Sequence, residues 1–171
     1  VVLNKVVSVF CDSGQLFHCV DKKFPGRRLN YKKFLDTALG FGTKLGTTRV
    51  YGTYVNPGVN EFEKSLRRIG WDTKFVQPRS QGQPFDWAVE IALEAYCSAS
   101  DVIVIGTSGH EYLPLIHRLR ECNDVEVIVM ACGINDRMRS ASHRIVEIHE
   151  GFLTDGSANR SSRSTIQVAT P

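Results

Sequence analysis

Short β-rich runs alternate with helical spacings along the 171-residue chain, which predicts a single α/β domain with a parallel sheet covered on both faces. The runs lie at residues 6–10, 48–55, 73–76, 102–105 and 125–130 and are rich in Val, Ile, Phe and Tyr. Between them apolar residues recur at helical spacing, and the connections are short and polar.

The first run stops at Asp12-Ser13-Gly14, which reads as a strand ending in a polar turn. Asn30 is a candidate cap for a helix over 31–39, where positions 31, 34, 35, 38 and 39 share one face. The second strand turns at Asn56-Pro57-Gly58 into a helix over 60–69, closed by Gly70, and the third strand follows at once. After the loop 77–83, Pro84 starts a helix to Cys97 whose expected inward stripe is Val89, Ala92, Leu93 and Tyr96. The fourth strand, a helix over 112–121 and the fifth strand complete the domain, with no internal repeat or linker. The small, polar stretch from 154 onward reads as a tail, with a neighbouring subunit as a candidate partner.

Bulk properties exclude several classes. Apolar residues make up 42% and charged ones 23%, ordinary for a globular fold. A formal charge of +3 permits an anionic partner without requiring one. Five cysteines without a CxxC pair favour reduced thiols over a disulfide framework or zinc site. No run reaches the roughly 18 apolar residues of a membrane span, and no secretory signal pattern opens the chain. The expectation is a cytoplasmic protein without a membrane partner.

Sites in open α/β sheets form beyond the carboxyl ends of strands, where strand order reverses. Two post-strand loops are unusually polar: Asp12-Ser13-Gly14-Gln15, and Thr107-Ser108-Gly109-His110-Glu111. They face each other if strands one and four are neighbours. Asp86, in line with Val89, Leu93 and Cys97, adds a carboxylate on the face expected to turn inward, with Glu90 one turn on. Each residue has an ordinary reading too: Asp12 in an Asx turn, Asp86 and Glu111 as first-turn helix acids, His110 as an exposed loop residue. Convergence of three carboxylates would make a hard, oxygen-rich site of the kind Mg²⁺ or Mn²⁺ prefers, suited to phosphate chemistry.

Three stretches, 10–16, 85–89 and 107–115, resemble in order and spacing the signatures of the NYN domain family, a branch of the PIN-like nuclease group. The likeness extends over roughly residues 5–153, including Gly70 and the 141–146 stretch. The resemblance implies a Rossmann-like, PIN-like three-layer sandwich over 1–153 with a tail over 154–171, and strand order 3-2-1-4-5. It implies a metal site of Asp12, Asp86 and Glu111, with His110 joining the catalytic set and Glu90 as a further substitute. This chain departs from the family pattern: Gln15 stands for an asparagine, Gln83 for a lysine and His143 for an aspartate. After strand four, either Gly109 or His110 takes the place of an acid, depending on the register.

The implied function is Mg²⁺- or Mn²⁺-dependent hydrolysis of single-stranded RNA. Lys22, Lys23, Arg27, Arg28, Arg79, Arg137 and Arg139 are candidate phosphate contacts, and Tyr31 and Trp87 candidate stacking faces. The alternative is a catalytically degenerate NYN-like domain serving as an RNA-binding or structural assembly module, with a homo-oligomer formed through the tail. A phosphatase or nucleotide-binding role on the same sheet is a third reading.

Overall fold

A computed structural model describes residues 4–78, 86–122 and 124–156. The first elements are β1 (Val6–Asp12), α1 (Ser13–Lys23), β2 (Arg27–Leu29), α2 (Tyr31–Leu39), β3 (Lys44–Thr53), α3 (Gly58–Arg68) and β4 (Asp72–Val76). They are followed by α4 (Trp87–Cys97), β5 (Val102–Gly106), α5 (Leu113–Glu121), β6 (Glu126–Ala131), α6 (Asp136–Ala141), β7 (Arg144–Glu147) and β8 (Leu153–Asp155).

Six strands form one parallel sheet in the order β4-β3-β1-β5-β6-β7. The five expected strands take the expected order, and β7 extends the sheet beyond β6. Successive strand residues point to opposite faces, and the two apolar layers follow from that alternation. Val7, Val9, Cys11, Val102, Val104, Ile128 and Met130 meet α1, α2 and α3 on one face. Phe10, Ile103, Ile105, Val127 and Val129 meet α4, α5 and α6 on the other. Strands buried on both faces read as unbroken apolar runs, which is why they are visible in the sequence.

Three features depart from expectation. The Asp12 turn opens directly into α1: the Asp12 carboxylate accepts from the Gln15 amide at 3.1 Å, and Leu16 and Val20 bury one turn apart. In α4 the buried residues are Trp87, Ile91 and Ala95, whereas Val89, Leu93 and Tyr96 are 54%, 61% and 48% exposed. The helix is apolar on most sides, so spacing defines no unique face; Trp87, packed on Tyr51 with ring centroids 5.4 Å apart, decides the rotation. Finally, β8 pairs antiparallel with β2, carrying the folded chain to Asp155, two residues past the expected end of the domain.

Candidate active site

Strand order reverses about β1, whose carboxyl end lies between those of β3 and β5. Asp12 ends β1 and caps α1. It is only 7% exposed. One carboxylate oxygen accepts from the Gln15 amide, and the other accepts a 2.7 Å hydrogen bond from the Tyr112 hydroxyl. Burial raises the Asp12 pKa above the ordinary carboxylate value, and the nearby Glu111 charge adds to the rise. The hydroxyl of Tyr112 and the amides of Gln15 and Gly14 oppose that shift by donating to the carboxylate.

The loop after β5 is fixed by short-range bonds. Thr107 Oγ1 accepts from the Gly109 amide at 3.1 Å, and Ser108 Oγ donates to the Gln15 carbonyl at 3.4 Å. The Glu111 carboxylate folds back over Gly109, occupying the space a Cβ would need there. Gln15 Nε2 donates to Glu111 Oε1 at 2.7 Å, joining the two loops across the crevice. His110 is largely exposed, with Nδ1 3.9 Å from Glu111 Oε2.

Asp86 is the cap of α4, accepting from the amides of Ala88 and Val89 at 3.1 and 3.4 Å. It lies at an exposed helix start, not on an inward face. Tyr112 ties the acids together: burial is the main cause raising its phenol pKa, followed by Asp12, with Glu111 and Asp86 adding to it. Asp12 is bonded directly to that phenol and Glu111 joins the Asp12 loop through Gln15, whereas Asp86 is engaged with the start of α4.

That neighbourhood is looser than a closed ligand shell. Among the described residues, no three His, Cys, Asp or Glu side chains are grouped closely enough to hold a metal ion unaided. The donor chemistry nevertheless fits Mg²⁺ or Mn²⁺. These hard cations take carboxylate oxygens, and Mg²⁺ commonly binds through one or two carboxylates, several waters and substrate phosphates. Asp12 and Glu111, linked through Gln15, are the carboxylates that would hold such an ion.

The remaining predicted residues divide clearly. Glu90 is paired with Lys74 at 2.6 Å, so its carboxylate is neutralised against β4. Lys23 reaches the carboxyl edge because α1 runs across it: Lys23 Nζ lies 2.8 Å from Glu147, at the end of β7. Arg139 approaches the same carboxylate at 3.6 Å. Lys22 and Arg137 are exposed, and Arg137 lines a cavity of about 370 Å³ with Leu113, His117, Asp136 and Ser140. Arg27 is paired with Asp155 at 3.5 Å. Arg79 and Gln83 lie outside the described residues.

The two proposed stacking rings are packing residues instead. Tyr31 meets Phe62 and Trp71 edge-on, and Trp87 is buried against Tyr51. Tyr112 and Gln15 are the contributors that sequence reasoning missed. Tyr112 precedes Leu115, Ile116 and Leu119 at helical spacing and so reads as core, although a buried phenol needs an acceptor.

Comparison with known proteins agrees with this architecture. Residues 6–149 match the family model of the NYN domain. No curated protein matches the chain. A crystal structure of a protein of unknown function from Vibrio parahaemolyticus superposes with a TM-score of 0.77 at 17% identity, covering 88% of this chain and 97% of that one. At that identity the likeness establishes the fold alone. No helix among the described residues is long and apolar enough to cross a membrane.

Proposed function

Because the chain belongs to the NYN domain family, a PIN-like group of nucleases that act on RNA and generally use divalent metals, we propose that it is a Mg²⁺- or Mn²⁺-dependent ribonuclease. The observation that carries this reading is the bonding of Asp12 to Tyr112 and of Glu111 to Gln15 across the crevice at the reversal point of the sheet. Asp12 and Glu111 would hold the ion, with Asp86 facing the approaching strand from the start of α4. When bound, the cation would neutralise charge on the phosphodiester and activate water for in-line attack.

The chain's own groups then have distinct tasks. Tyr112 fixes the Asp12 carboxylate by donating to it, and Gln15 holds Glu111 through its side-chain amide. His110, exposed beside Glu111, would exchange a proton with the leaving oxygen. Lys22, Lys23, Arg137 and Arg139, with Arg79, supply positive charge for the RNA backbone. Single-stranded RNA is the proposed substrate, and the cytoplasm the proposed compartment.

The test is cleavage of single-stranded RNA with Mn²⁺ or Mg²⁺ by the wild type and Asp12→Asn. The expected result is a loss of roughly 100-fold or more in the variant. Full cleavage by Asp12→Asn rejects the site. One observation favours the alternative of a degenerate RNA-binding or assembly module: no third donor completes a ligand group among the described residues. That reading expects RNA binding without hydrolysis by the wild type, and an oligomer that dissociates when 157–171 are removed.

A further inference from the structure

Two thiols meet beside the carboxylate crevice. Cys19 lies on α1, one turn beyond Gln15, and Cys132 follows β6 directly. Their sulfurs are 2.8 Å apart. Cys132 is buried, whereas Cys19 is half-buried. We propose that Cys19 and Cys132 form a redox-active dithiol, a modification site whose co-reactant is a small hydroperoxide.

The surroundings favour Cys19 as the attacking sulfur. The Cys132 thiol donates to it, which is the main cause lowering the Cys19 pKa to about 7 despite partial burial. Lys23 adds a positive charge that stabilises negative sulfur at the pair. Cys132, losing its proton less readily because it donates to Cys19 and is buried, suits the resolving role.

The chemistry balances with the peroxide as the only oxidant. The Cys19 thiolate attacks one peroxide oxygen; an S–O bond forms, the O–O bond breaks, and the departing oxygen takes a proton to leave as water or alcohol. Cys19 is then a sulfenic acid. The Cys132 sulfur attacks the Cys19 sulfur, the S–S bond forms, the S–O bond breaks, and hydroxide leaves with the Cys132 proton as water. The two thiols lose two electrons, and the O–O bond gains them. The resulting link would tie the middle of α1 to the end of β6.

The inference is independent of RNA cleavage and is tested on the full chain by peptide mass mapping after exposure to hydrogen peroxide. The expected product is a Cys19–Cys132 linked peptide that dithiothreitol separates. Cys132→Ser is expected to stop at a sulfenic acid on Cys19, trapped by dimedone, and Cys19→Ser to give neither product. A second measurement needs no variant: iodoacetamide at neutral pH should label Cys19 roughly tenfold faster than the exposed Cys97. Absence of the linked peptide, or labelling of Cys97 ahead of Cys19, overturns the proposal.

Discussion

Asp12 sits where burial works against its own charge. Its folded-state pKa is raised, chiefly by desolvation and further by Glu111, so the folded protein holds the carboxyl proton more tightly than the unfolded chain does. That preference favours folding fully below the unfolded pKa and is lost as pH rises through the folded one. Once ionised, the group is therefore a net burden on stability, and Asp12→Asn should raise the melting temperature by roughly 2–4 °C for each kcal/mol relieved, while cleavage falls. Tyr112→Phe removes a donor from the carboxylate, pushing its pKa higher still. The acid limb of the pH–rate profile should move to higher pH, with activity near neutrality down about 10–100-fold. Asp12 and Glu111 are legible in the sequence because each stands in a polar loop directly after an apolar strand. The role of Tyr112 is not, since its partner is 100 residues away and an aromatic at helical spacing reads first as core.

At the level of the element, α4 separates structural and chemical uses of one residue. Asp86 accepts two amide hydrogen bonds at the helix start, so Asp86→Ala should destabilise the fold by about 1 kcal/mol in denaturant melts. Asp86→Asn keeps the cap; if the carboxylate serves the RNA site, this variant should melt like the wild type yet lose activity. The same helix shows how pattern reading fails. Val89, Leu93 and Tyr96 have helical spacing as regular as that of Trp87, Ile91 and Ala95, and only packing on Tyr51 of the sheet distinguishes the faces. Helix α1 escapes pattern reading for the opposite reason: Leu16 and Val20 are its only buried residues, and they come after a sequence that also suits a turn.

Across the whole molecule, the carboxyl edge combines acids with cations that are already partly engaged. Glu147 holds both Lys23 and Arg139, so Glu147→Gln should release them toward an RNA backbone. Filter binding across a salt series should then show tighter single-strand binding at low salt, and a slope steeper by about 0.7 for each additional phosphate neutralised. The five longer strands are legible because Val, Ile, Phe and Tyr cluster in each, most plainly in the apolar runs of β5 and β6. The short β2, β7 and β8 are not, because β2 and β8 span 3 residues each and β7 spans 4, and their strand character comes from a distant partner. The two tryptophans fall in opposite apolar layers, Trp71 with the α1–α3 face and Trp87 with the α4–α6 face. Since Trp87 directly follows Asp86, a paramagnetic Mn²⁺ arriving at that edge would dim its emission, giving the protein an intrinsic optical gauge of occupancy.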